Sequence, residues 1–210
     1  MNWIPTAEEK EARYERAHGE LDERAIVRLG NTAYAAGLAR LMAGDPHTGG
    51  VWLRRAAARW RESWDAGAAV DAWGRPIGAL KASLLAGDEA AVEELARWTL
   101  ELGAATADSP IGRYAGALAL LALGRWTEAR HVAEPLQADT FPHDVAASLA
   151  AIAAGEAEAY AAAVRSVVAS FEDRDEYLED VAVADTALVL DLLARRRGID
   201  VALPASPVLP

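Results

Sequence analysis

The chain has 210 residues and a mass of 22.3 kDa, enough to bury a full hydrophobic core without staples. It contains no cysteine, which excludes disulfides, thiolate nucleophiles, zinc–thiolate sites and iron–sulfur clusters. Its 32 acids against 21 Lys and Arg give a net charge of −11, which disfavours nucleic acid and anionic membrane surfaces as partners and favours a basic protein. The 50 alanines and scattered β-branched residues point to an all-α fold, since alanine loses no rotamer freedom in a helix. No charge-free apolar run approaches the ~18 residues of a membrane span. Residues 1–10 lack the basic and apolar regions of a signal peptide, so the expected compartment is the cytoplasm of a bacterium-like cell.

Helical patterning predicts ten helices, at 6–18, 20–43, 48–66, 75–86, 89–102, 110–123, 127–137, 142–154, 157–170 and 175–197. The first is polar nearly all round (Glu8, Glu9, Lys10, Glu11, Arg13, Glu15, Arg16) and reads as a loosely docked cap. The second carries Gly30, Ala33, Gly37 and Leu41 at three- and four-residue steps, a stripe of small residues against which another helix can pack closely. Four junctions share one pattern: Ala43-Gly44-Asp45, Ala86-Gly87-Asp88, Leu123-Gly124-Arg125 and Ala154-Gly155-Glu156. Glycine takes the left-handed position that ends one helix, and the following Asp or its neighbour caps the next. This predicts a single domain over 1–200, built of stacked antiparallel helical hairpins with degenerate spacing. The Pro-rich tail at 201–210 cannot be helical.

The third predicted helix holds the most unusual constellation. Trp52, Trp60 and Trp64 share one sector, Arg55 and Arg59 lie among the arginines around the rest, and Trp73 follows in the next loop. Such a stripe is either core, with its arginines paired to acids of neighbouring helices, or a binding surface built of the residue types that dominate interfaces. The last predicted helix has a second anomaly. Asp185 falls at helical phase among Leu178, Val181, Leu188, Val189 and Leu192, where a carboxylate must be paired or protonated. It is either a structural partner of an arginine or helix end, or the carboxylate of a site.

Two Glu-x-x-His pairs, Glu15/His18 and Glu128/His131, have the spacing of di-iron bundles. The first lies on a polar helix and the second off the Trp126/Ala129/Ala133/Leu136 face, so both read as solvated pairs and no metal is assigned. The acidic cluster Glu172, Asp173, Asp175, Glu176, Glu179 and Asp180 fails the calcium-loop pattern. Asp175 and Glu176 read as the acidic start of the last helix, and the cluster also suits a basic partner. Phosphate loops, dinucleotide fingerprints, nucleophile elbows and zincin motifs are all missing from the sequence.

The segment Ala117-Leu-Ala-Leu-Leu-Ala-Leu-Gly124-Arg-Trp126-Thr-Glu-Ala129 resembles the centre of a tetratricopeptide repeat, where small residues, a glycine and an aromatic key two helices together. From about Trp73 onward, Leu84-Leu-Ala-Gly-Asp88, Leu192-Leu-Ala-Arg-Arg-Arg-Gly198-Ile and the closing Leu203-Pro204 and Leu209-Pro210 are similar to the all-helical immunity family numbered 49 of bacterial polymorphic-toxin systems. That resemblance implies a cytoplasmic protein that binds and blocks a toxin without catalysis or cofactor. The expectation is therefore a non-enzymatic protein-binding module, an immunity protein or helical-repeat adaptor. The alternative is a helical small-molecule-binding protein or enzyme with a Trp-lined pocket and Asp185 as its buried carboxylate.

Overall fold

The computed structural model describes residues 2–17, 21–136, 138 and 140–210. The described residues form α1 (Ile4–Glu15), α2 (Glu23–Met42), α3 (Pro46–Asp65), α4 (Gly74–Leu85), α5 (Glu89–Glu101), α6 (Pro110–Ala122), α7 (Trp126–Leu136), α8 (His143–Ala154), α9 (Ala157–Glu172) and α10 (Asp185–Arg196), with no strand among them. Single 3₁₀ turns occur at Ala104–Thr106 and Leu178–Asp180. No helix of the described residues is long and apolar enough to cross a membrane.

The glycine junctions fold as their chemistry requires. Gly44 and Gly87 have φ of +75° and +65°, a conformation that ends α2 and α4 at no steric cost. Asp45 and Asp88 then accept the Thr48 and Ala91 backbone N–H groups at 3.1 and 3.2 Å, starting α3 and α5. Gly124 and Gly155 make the same left-handed turn after α6 and α8. Consecutive helices therefore pack as neighbours along the chain from α1 to α9. The last helix departs from that order: α10 lies against α4, α6 and α8 as well as α9.

The small-residue stripe on α2 packs against α3. A Cβ on Gly37 would lie 2.6 Å from the Leu53 side chain, and one on Gly30 would lie 2.9 Å from the Trp60 ring. Gly78 of α4 meets the same ring from elsewhere, with a Cβ falling at 2.7 Å. The Trp60 indole is thus held between two glycines on different helices, and its position depends on neither having a side chain.

The first helix is more firmly attached than its polar pattern suggests. Trp3, Ala7 and Lys10 are buried. Arg40 holds both oxygens of Glu11 at 2.7 and 2.8 Å, Arg55 donates to Glu15 at 2.5 Å, and Arg59 donates to the Tyr14 hydroxyl at 3.0 Å. Two acids of that polar helix, Glu11 and Glu15, are thus engaged by arginines of α2 and α3.

The last helix begins ten residues later than expected. Glu179 and Asp180 have φ of 55° and 60°, which no helix accommodates. Beyond them Val181 and Val183 are both buried, an alternation of period two that suits extended β-branched residues. Leu178 and Val181 therefore do not share a helix face with Leu188, and Asp175 and Glu176 start no helix. The 201–210 tail runs beside this segment: the Ala184 N–H donates to the Val208 carbonyl at 2.8 Å, and Ser206 donates to Glu172 at 2.5 Å. Glu128 is paired with Arg125, while His18, Glu20 and Gln137, which figure in the predicted pairs and helix ends, lie outside the described residues. Gly78→Ala should lower stability by about 1–3 kcal/mol through overpacking against Trp60, read by urea denaturation. Gly74→Ala is the control, because a Cβ there meets nothing within 4 Å.

Candidate functional site

Trp60 is 5 % exposed, and its indole N–H donates to Asn31 Oδ1 at 3.2 Å. One turn along α2 from Asn31, the Tyr34 ring packs on Trp60 with centroids 5.2 Å apart. The Tyr34 hydroxyl donates to Asp185 Oδ2 at 2.8 Å. Lys81 of α4 approaches the same oxygen at 2.6 Å and donates to the Thr186 hydroxyl at 3.0 Å. These groups line a cleft of about 260 Å³, bounded by α2, Trp60, the first two turns of α4, Leu178 and the start of α10.

Asp185 is therefore not in the middle of a helical face, as the sequence reading had it, but is the first residue of α10. An acid suits that place because the free N–H groups of the first turn carry partial positive charge. Lys81 and Asp185 side chains are only 11 % and 17 % exposed, so each depends on the other. Burial alone would raise the Asp185 carboxyl, but the Lys81 ammonium and the Tyr34 hydroxyl outweigh it and hold it below the ordinary aspartate value. The Tyr34 hydroxyl moves well up, through burial first and the Asp185 charge second. Burial and Asp185 likewise raise Tyr114, with the Thr186 hydroxyl opposing them.

The remaining predicted residues divide into two groups away from the cleft. Trp52, Arg55 and Arg59 lie beneath α1. The Tyr14 ring meets Trp52 edge-on at 5.3 Å, and the Arg55 guanidinium stands 4.3 Å from the Trp52 ring centroid. Arg59 bridges Tyr14 and Glu62. Trp64 and Trp73 join Trp98, with centroids 6.4 Å apart for Trp64–Trp73 and 5.8 Å for Trp64–Trp98. Of the predicted residues, the cleft brings together only Trp60 and Asp185.

Tyr34, Asn31, Arg75 and Lys81 escaped the sequence reading, and Leu178 entered it only as an apolar neighbour of Asp185 on a shared helix face. Lys81 did leave a trace: it is one of two lysines in an arginine-rich chain and sits in the apolar run Ile77-Gly-Ala-Leu-Lys81-Ala-Ser-Leu-Leu85. A lone cation there needs a buried acid, and Asp185 needs a cation. Leu178 is 45 % exposed at the cleft rim, just before the left-handed Glu179 and Asp180. Each such residue costs about 1–2 kcal/mol without glycine. Glu179 is held there by Arg13 at 2.6 Å. No protein-family model matches the chain, and no curated protein or solved structure matches it either.

Asp185→Asn strands the Lys81 charge and should cost about 1–3 kcal/mol in a denaturation experiment, while Lys81→Met combined with Asp185→Leu should cost less. The depressed Asp185 carboxyl contributes stability that is complete above the unfolded aspartate value of about 3.9 and is lost as the pH falls through its lower folded value. Melting curves at descending pH should therefore show the wild-type protein losing its advantage over Asp185→Asn below about pH 4.

Proposed function

We propose that this chain is a non-enzymatic protein-binding module whose Trp60–Asp185 cleft receives a protruding group of the partner. The observation that carries this reading is the rim. A large apolar side chain, Leu178, stands exposed over a cleft that combines apolar walls with a buried ion pair, next to two residues, Glu179 and Asp180, held in an unfavourable conformation. Strain retained beside a cleft is a mark of a working site, and an exposed leucine is a ready hydrophobic contact. The −11 net charge suits a basic partner, and the likeness to immunity proteins makes a toxin the candidate for it. In that role the protein acts in the cytoplasm, needs no cofactor and blocks its partner by occupancy.

The second reading is a small-molecule-binding protein. It is favoured by the meeting of Trp60 and Asp185 in one cleft, whose volume of about 260 Å³ lies just under the usual range for ligand pockets. Trp52, Arg55 and Arg59 form a second candidate surface, reached by partners that contact the α1–α3 seam.

Tagged wild-type protein, Leu178→Asp and the Arg55→Ala/Arg59→Ala double variant, used as baits in lysate of the source cells, separate these surfaces. The expected result is one stoichiometric protein retained by the wild type and lost with Leu178→Asp. Its toxicity when expressed alone, relieved by co-expression of this chain, would establish the immunity role. Loss with the arginine variant alone would move the surface to α1 and α3. Equal retention by all three would overturn the cleft as the binding site.

A further inference from the structure

The cleft has more hydrogen-bond donors than acceptors. Lys81 has three ammonium protons, and Asp185 and Thr186 engage two of them. Arg75 is held to Glu23 through Nη2 alone, and its buried Nε has no acceptor among the described residues. An indole can only donate, so Asn31 must present its oxygen to Trp60, and its amide N–H groups stay outside that bond. Both Asp185 oxygens are already engaged. Asp185 Oδ2 receives both Lys81 and Tyr34, and Oδ1 receives the Thr186 hydroxyl at 3.3 Å.

The charges of the cleft are paired, Lys81 with Asp185 and Arg75 with Glu23, so a ligand is selected by the donors left over rather than by net charge. A planar monoanion can accept from Arg75 Nη1, which holds no partner among the described residues. A phosphate dianion is disfavoured by the nearby Asp185 charge. Val27, Ile77 and Leu178 supply apolar walls for a short hydrocarbon stem. The volume of about 260 Å³ admits a group of side-chain size.

We infer that the cleft is a carboxylate-binding site, in which Arg75 Nη1, the remaining Lys81 proton and the Asn31 amide receive a single carboxylate on a short apolar stem. The inference rests on the proposed binding role of the cleft and specifies its ligand. The carboxylate is either that of a free small acid or one borne by a protein partner, as an acidic side chain or a C-terminus.

The Trp60 indole N–H resonance reports on the cleft in ¹⁵N-labelled full-length protein. The probes are propionate and benzoate, an acetylated tripeptide with a free C-terminus, one with an internal Glu, and the amide analogue of each. The expected result is saturable movement of that resonance by acids, with amides and the Arg75→Gln variant each at least roughly tenfold weaker. Saturation by propionate or benzoate identifies a small-acid site, and saturation by the peptides alone identifies a partner's carboxylate. Acids and amides acting equally, or Arg75→Gln binding the acids unchanged, would overturn the inference. If no acid moves the resonance but a captured partner does, the carboxylate assignment falls and the binding role of the cleft stands. If neither moves it, both fall.

Discussion

Lys81 and Asp185 meet at 2.6 Å where α4 faces the first residue of α10, and the Tyr34 hydroxyl of α2 completes the contact. Three helices far apart in sequence are joined at one carboxylate. A largely buried ion pair adds little net energy over an apolar pair of the same shape, but losing one member leaves the other charged and desolvated. The contact therefore works as a constraint. It sets where α10 begins, and with that the direction in which the helix crosses α4, α6 and α8. Trp60 depends on the same arrangement, because its ring lies between the Tyr34 helix and the Lys81 helix, close against a glycine of each.

The hairpins were legible in the sequence because their signals are local. A glycine at a helix end and an aspartate after it act on the backbone within a few residues, and all four expected junctions turn as left-handed glycines. The 173–184 stretch was not legible for the opposite reason. Its acids and valines fit helical spacing on paper, yet Val181 and Val183 are buried at a two-residue alternation and the stretch ends in a bond from Ala184 to Val208 of the C-terminal tail. The first helix misled similarly. Glu11 and Glu15 have arginine partners 29 and 40 residues away, so a face that looks solvated in isolation is an interface in the folded chain.

The candidate site was only half legible. Trp60 and Asp185 stand out in the sequence for separate reasons, and nothing in their spacing places them together. The residues that connect them, Tyr34 and Lys81, are polar groups set among small and apolar neighbours on their helices. The chain as a whole is strongly acidic, so an anionic group is repelled at a distance and gains only where Arg75 and Lys81 come within contact range. Recognition in the cleft is therefore short-ranged and depends on geometry more than on charge.

The path of α10 also bears on how the molecule unfolds. An array of hairpins in which each unit touches only its neighbours can lose its ends piecemeal, its stability being close to a sum of adjacent terms. Here the final helix reaches back to α4, and the segment before it touches α2, so the two ends of the array share contacts. Such closure couples fraying at either terminus to the middle and turns a quasi-linear chain of units into one cooperative body. It also raises the average sequence separation of native contacts, which makes folding slower than local helical hairpins alone would allow.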